Sequence, residues 1–252
     1  QPSNSFPNYF VSYWPESTLL PYVNYNNSTR TGFDLALNFN KKVQDVDINL
    51  GVNAMYYTNE NTKVDELYED QYRYRKGTPT DGIWGLQTDG FYTSEEEILN
   101  SGITSSYNGE LKPGDLKFAD LDKSGTVDNG QNTLDDHGDL KVIGNTTPRY
   151  QFGLNLSANW NGIGISAFFQ GVGKRNWYPH RESAFFWGQY DRPYSYMLKE
   201  HTGNNVWTEE NQNTDAYWPR YRGYLANGST KALGIQANDR YLQNIAYVRL
   251  KN

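Results

Sequence analysis

The sequence predicts an all-β chain, part of a large antiparallel barrel whose strands cross a membrane and whose loops are long. Three observations carry this: segments that alternate apolar and polar residues with period two, strands longer than soluble domains use, and connections that switch between very short and very long.

Four segments alternate. In the first, about 32–40, Phe33, Leu35, Leu37 and Phe39 oppose Asp34, Ala36, Asn38 and Asn40. In the second, about 46–57, Val46, Ile48, Leu50, Val52, Ala54 and Tyr56 oppose Asp47, Asn49, Gly51, Asn53, Met55 and Tyr57. The third, about 150–160, sets Tyr150, Phe152, Leu154, Leu156, Ala158 and Trp160 against Gln151, Gly153, Asn155, Ser157 and Asn159. The fourth, about 163–170, sets Ile163, Ile165, Ala167 and Phe169 against a less clean face, and a fifth strand is expected at about 241–250. Such lengths exceed the ~5–6 residues of an ordinary strand and match the ~9–11 of a tilted membrane strand. Faces of Asn, Gly and Ser suit a wet lumen, so Phe33, Leu35, Ile48, Leu50, Phe152, Leu154 and Ile165 are expected to face lipid.

The first two strands are joined by a tight polar turn ending at Asp45, and the third and fourth by Asn161-Gly162, both of which tolerate positive φ. The other connections, about 58–148 and 173–240, are too long for structureless loops of a compact soluble domain. Short turns at one end and long loops at the other are the habit of an outer-membrane barrel, and Tyr56, Tyr57, Tyr150 and Trp160 fall where interfacial girdles would lie. A soluble β-sandwich would show the same alternation, with the apolar face sealed inside. Five strands close no membrane barrel, since the smallest have ~8, so the chain reads as an internal portion of something larger, spanning 1–252 as one partial barrel domain.

Composition narrows the function. The 252 residues hold no cysteine, which removes thiolate chemistry. A net charge of -6 with scattered basic residues argues against a nucleic-acid partner. No apolar run approaches a membrane helix, and Gln1-Pro2-Ser3-Asn4 is not a signal peptide. Phosphate-loop, Rossmann and Gly-x-Ser-x-Gly patterns are absent, and no carboxylate pair suggests glycoside hydrolysis. The run Glu95-Glu96-Glu97 is better explained as a helix start, Ser94 capping and Glu97 closing a capping box. His137, His180 and His201 lack ligand spacing and read as surface or loop histidines. Nothing supports an enzyme.

Two features could carry binding. Asp120-Leu121-Asp122-Lys123-Ser124-Gly125-Thr126-Val127-Asp128 has the spacing of an EF-hand calcium loop, with Asp120, Asp122, Ser124 and Asp128 offering side-chain oxygens, Thr126 its carbonyl and Gly125 the sharp turn. Position twelve holds Gln131, so the missing carboxylate would come from Asp135, Asp136 or Asp139; an Asx-rich turn without an ion is the alternative. Loop aromatics are the second feature: Trp84, Trp177, Trp187, Trp207 and Trp218 are the substrate-binding candidates, accompanied by Tyr178, Tyr190, Tyr194, Tyr196 and Tyr217. Flat rings with polar tips stack on cargo or pack against a partner; packing of the loops themselves is the commoner use of such rings.

Several segments resemble the late part of SusC-like (RagA-like) TonB-dependent outer-membrane transporters of Bacteroidetes. These are Gly77-Thr78-Pro79 with Asp81-Gly82-Ile83-Trp84-Gly85 running on to Ser94-Glu95-Glu96-Glu97-Ile98; Lys112-Pro113-Gly114-Asp115; Thr147-Pro148-Arg149-Tyr150; Phe168-Phe169-Gln170-Gly171; Trp207-Thr208-Glu209-Glu210-Asn211 with Trp218-Pro219-Arg220; and Tyr247-Val248-Arg249-Leu250. The resemblance implies a 22-stranded barrel with plug and TonB box lying outside this chain. It implies partnership with a SusD-like surface lipoprotein and with TonB, cargo of oligosaccharides or peptides, and a place in the bacterial outer membrane amid lipid. No cofactor is required, with Ca²⁺ the one possible ion. The competing reading is a soluble, secreted, calcium-stapled β-sandwich that binds glycans.

Overall fold

The computed structural model describes residues 3–5, 23–64, 76–131, 136–179, 184–186, 198–222 and 236–252. Six strands form one antiparallel sheet: β1 (Ser3–Ser5), β2 (Val23–Val43), β3 (Val46–Lys63), β10 (Tyr150–Trp160), β11 (Ile163–Gly173) and β14 (Tyr247–Leu250), paired in that order. Every neighbour in the sheet is also the next of these strands along the chain, so the sheet is a meander with the long connections emerging between β3 and β10 and between β11 and β14. The sheet is open, with β1 and β14 at its edges.

The turns are tighter than the sequence suggests. Lys41 and Lys42 belong to β2, leaving only Gln44 and Asp45 as the link to β3, with Gln44 at φ 54°. Asn161 and Gly162 carry φ 46° and 83°, the paired positive values of a type I′ hairpin. The sheet also reaches further than the apolar stripe: β2 begins at Val23 and β3 ends at Lys63. The alternation fades above Phe33 and Tyr56 because the outward positions there become Thr29, Thr31, Thr58 and Glu60, although the backbone pairing continues. At the other end of the chain β14 starts at Tyr247 rather than Tyr241, because Tyr241 is fully buried in the loops.

Register fixes the two faces. The outward rows are Val43–Val46–Trp160–Ile163, then Lys41–Ile48–Ala158–Ile165, Phe39–Leu50–Leu156–Ala167, Leu37–Val52–Leu154–Phe169, Leu35–Ala54–Phe152–Gly171 and Phe33–Tyr56–Tyr150–Gly173. Asn38, Asn49, Asn53, Asn155 and Ser157 lie on the opposite face, where Asn49 Nδ2 donates to Ser157 Oγ at 3.1 Å. The apolar face is bare: Phe33 is 63% exposed and Ile165 72%. Among the described residues no second sheet packs on it.

The two long connections fold together into a separate body. Its first half holds β4 (Gly82–Gly85) paired with β9 (Lys141–Asn145), β5 (Thr88–Phe91) with β7 (Leu116–Phe118), and β6 (Thr104–Ser105) parallel to β8 (Thr126–Val127). Helix α1 (Glu95–Ser101) starts as its sequence dictates: Glu97 N–H donates to Ser94 Oγ at 3.1 Å, and Thr93 N–H donates back to Glu97 Oε2 at 2.8 Å. The second half contributes β12 (Asn176–Trp177) and β13 (Gln243–Asn244), which pair with each other. Leu86, Phe91, Leu116, Phe118, Val127 and Leu140 from the first connection share one core with Phe186, Val206, Trp207, Ala216, Trp218 and Tyr241 from the second. Gly114 sits at φ +86° directly against the Trp207 ring, where a Cβ would come within 2.1 Å of ring carbon.

Candidate functional site

The loop body is fixed to the sheet by polar pairs. Beyond Tyr56, β3 has no partner in β10 and pairs instead with residues 76–80: Asn61 N–H donates to Thr78 O at 2.9 Å, and Thr80 N–H to Asn59 Oδ1 at 2.9 Å. One step along, Arg149 donates to both oxygens of Asp81, at 2.8 and 2.7 Å, with both side chains nearly buried. Burial alone would raise the Asp81 carboxyl; the hydrogen bonds and charge from Arg149, with those from Thr147, outweigh it and hold Asp81 well below the usual carboxylate range. A second pair ties the two connections to each other: Arg220 Nε donates to Asp115 Oδ1 at 2.8 Å, and Arg222 holds the other oxygen. Sequence reasoning missed these pairs as such. Their signal was present in the motifs that carry the resemblance, since Asp81, Asp115, Arg149 and Arg220 all belong to them.

The tryptophan candidates separate. Trp207 and Trp218 are each only 2% exposed and build the shared core, so the packing role applies to both and neither ring is open to a ligand. Trp84 is half-buried against the same core and meets His137 edge-on at 5.4 Å. Trp177 is 50% exposed. Its opposite number in the β12–β13 pair is Gln243, whose amide donates to the Tyr217 hydroxyl at 3.2 Å. Tyr217 is itself exposed, while Trp218 and Tyr241 support its ring edge-on from below. Trp177 and Tyr217 are thus exposed rings linked through Gln243, with the buried Trp218 and Tyr241 packed against Tyr217. Trp187, Tyr190, Tyr194, Tyr196, His180 and Asp135 lie outside the described residues.

His201 is not a surface histidine. It is buried, its Nε2–H donates to the Phe185 carbonyl at 3.1 Å, and it meets Trp218 edge-on at 4.8 Å; burial lowers its pKa.

The acidic loop folds around its own carboxylates. Gly125, at φ +82°, makes the turn. Ser124 N–H donates to Asp120 Oδ1 at 3.1 Å and to Asp122 Oδ1 at 2.9 Å, and Gly125 N–H donates to Asp120 Oδ2 at 2.9 Å. Asp120, Asp122 and Asp139 bring ligand oxygens within 4.8 Å of one another. Asp128 is not in this group: its carboxylate turns back to accept from Gly130 N–H at 2.7 Å, while its own N–H donates to Asp139 Oδ2 at 2.9 Å. Ser124 Oγ donates to the Thr126 carbonyl at 3.0 Å, so both of those oxygens lie in the loop but are occupied with each other. Asp139 is wholly buried, and burial raises its pKa against the ordinary carboxylate value. Three converging carboxyls, one of them destabilised as an anion, form an oxygen-only donor set of the kind a hard divalent cation takes.

Comparison with known proteins places this geometry. No protein-family model matches the chain. A stretch of 184 residues is 26% identical to TonB-dependent receptor P3 of Formosa agariphila, covering 71% of this chain and 15% of that protein. Among solved structures, a chain of the RagAB peptide transporter superposes with a TM-score of 0.58 at 19% identity, over 94% of this chain and 24% of that one. A chain of the RagAB peptide importer in its open-open state gives 0.56 at 18% identity, over 94% and 23%. The chain is therefore similar to a segment of a SusC/RagA-like outer-membrane β-barrel, and it spans about a quarter of the solved chains it matches.

Proposed function

We propose that this chain supplies part of the wall and part of the extracellular loop body of an outer-membrane, TonB-dependent importer of oligosaccharides or peptides. The observation that carries the reading is the length of the bare apolar stripe. Tyr150 to Trp160 is 11 residues, which at ~3.4 Å per residue and a tilt of ~40° spans about 26 Å, against an apolar band of about 25 Å. Aromatic residues close both ends: Phe33, Tyr56 and Tyr150 form one cluster, with ring centroids 5.8 and 5.0 Å apart, and Trp160 stands in the last row at the other end. Among the described residues no helix is long and apolar enough to cross a membrane, which says nothing of a barrel. A soluble sandwich is disfavoured because the apolar face has nothing packed on it among the described residues.

In this reading further strands complete a barrel of 22, and a SusD-like lipoprotein and the cargo meet the loop body, with energy reaching the transporter through TonB. The chain works by binding and gating, without catalysis. The Asp120 loop holds Ca²⁺ through Asp120, Asp122 and Asp139 and stiffens the first long connection. The exposed surface of Trp177 and Tyr217 is where cargo or lid contact is expected, since binding residues sit on loops carried by a rigid scaffold. The test is uptake and lipoprotein co-purification in cells carrying Trp177→Ala or Tyr217→Ala with the barrel assembled. A true contact costs about 2 kcal/mol or more; wild-type uptake and association in both variants would remove this surface from the proposal.

A further inference from the structure

Lys41 is the one charge in the apolar rows described above. It stands opposite Ile48, in the row that continues through Ala158 to Ile165, and so projects from the same face as the apolar stripe. It is exposed, and among the described residues no carboxylate lies within ion-pair distance of it; its neighbour Lys42, on the other face, pairs with Asp47 at 3.9 Å. Beside this row the surface is hollow. Val46, Ile48, Leu156, Ala158, Ile165 and Ala167 line an almost wholly apolar recess of about 340 Å³, opened by the small side chains of Ala158 and Ala167 between branched neighbours. The recess lies in the half of the stripe nearest the two short turns, reaching through Val46 into the last row, which also holds Trp160 and Ile163.

An unpaired cation among apolar residues is costly unless it reaches water or an anion. Lys41 lies one row inside the last apolar row, about 7 Å along the strand, a distance its own stem can cover by extending toward the interface. At that depth the anions available are the phosphates of phospholipid headgroups. Cation and recess adjoin, as headgroup and acyl chain do in one molecule. We propose that Lys41 and this recess form a specific seat for one phospholipid of the periplasmic leaflet, the phosphate held by Lys41 and an acyl chain lying over Ala158 and Ala167. This rests on the membrane reading of the stripe.

The test uses the native transporter purified from outer membranes and exchanged into nanodiscs of equal parts phosphatidylethanolamine and phosphatidylglycerol, followed by native mass spectrometry of the lipid retained. Wild type and Lys41→Arg should keep one phospholipid. Lys41→Ala should retain it about fivefold less well, as expected for one lysine near an anionic surface. Ala158→Phe, which fills the recess and leaves the charge, should lose it as well. Equal retention in all four proteins overturns the seat, as does a loss in Ala158→Phe with none in Lys41→Ala, which would mean apolar packing without headgroup recognition. A mass showing a second protein copy on the recess overturns it too. Carbonate extraction of membranes separates the two readings: release of the wild-type chain into the wash sinks the membrane reading itself, whereas a retained chain with unaltered lipid binding sinks only the seat. Heat-modifiable migration of each variant confirms that its barrel is folded.

Discussion

The sheet and the loop body bury opposite things. In the sheet, large apolar side chains stand in the open and the amides, hydroxyls and glycines take the other face; in the loop body, Leu86, Phe186 and Tyr241 are fully buried in a shared apolar core. One chain therefore obeys two solvents. The sheet gains stability when its bare face meets hydrocarbon, because the backbone groups of its inner strands β3 and β10 are paired with neighbours on both sides over the apolar rows. The loop body gains it as soluble proteins do, by removing apolar area from water. The boundary between the regimes is narrow, at the row of Phe33, Tyr56 and Tyr150, and Asp81–Arg149 sits just beyond it.

The largest expected effect lies in the loop core. Trp207→Ala removes a nearly buried indole shared by both connections and leaves Gly114 facing a void, so a loss of about 3–5 kcal/mol is expected there. Protease sensitivity of residues 76–131 and 198–222 should rise while the strands keep their heat-modifiable mobility. If strands and loops unfold together, the two regions are one cooperative unit and the comparison fails.

The junction comes next. Arg149→Ala strands a nearly buried carboxylate, which costs about 3–5 kcal/mol when no relaxation rescues it. Acid tests the same contact without mutation. Asp81 titrates lower in the folded protein than in the unfolded one, so its contribution is complete above the unfolded carboxylate value near ~4 and fades as pH falls below it toward the folded value. Hydrogen exchange across residues 76–81 should be slow at neutral pH and accelerate below about pH 4. In Arg149→Ala this acid step should vanish; an unchanged step would assign it to another group.

Leu50→Arg probes the outer face near the middle of the stripe, since Leu50 lies in the third of six outward rows. In lipid it should cost about 2–4 kcal/mol. Asn53→Arg, on the opposite face of the same strand, should cost much less. Equal penalties measured by refolding into vesicles would show that the two faces see the same medium.

How much of this was legible follows the same division. Period-two alternation and the Asn161-Gly162 turn give the sheet's register from sequence, because every rung repeats one rule. The loop body repeats nothing: its strands are two to five residues long and its core is drawn from scattered positions such as Leu86, Val206 and Tyr241. Aromatic content therefore points to rings without saying which way they turn, and Trp207 and Trp218 proved to be core. Family-like motifs mark Asp81, Asp115, Arg149 and Arg220 as noteworthy, yet only the fold shows that they pair. Lys41 read from sequence as part of the polar turn ending at Asp45; only the longer β2 puts it in the outward series, and its meaning needs the recess beside it.

The smallest effect concerns the acidic loop, and it sharpens the contrast because it touches only the loop body. Asp139 is buried among backbone donors with Asp120 and Asp122 close by. Its raised pKa means that the folded loop holds a proton more tightly than the unfolded one, so without a cation the site loses stability as pH climbs through the ordinary carboxylate range and on toward the folded value. A bound Ca²⁺ would replace that proton and remove the loss. Extracellular calcium modules bind with Kd of about 10⁻⁴–10⁻³ M, so millimolar Ca²⁺ should add only about 0.4–1.4 kcal/mol. Chelation at neutral pH should therefore speed proteolysis between residues 119 and 139 by a few-fold, and excess Ca²⁺, but not Mg²⁺, should reverse it. In Asp139→Asn the unfavourable charge is gone along with the ligand, so the loop should be stable without Ca²⁺ and indifferent to chelator. A chelator effect that survives in Asp139→Asn would move the ion elsewhere; no effect in the wild type would leave the loop an Asx-rich turn.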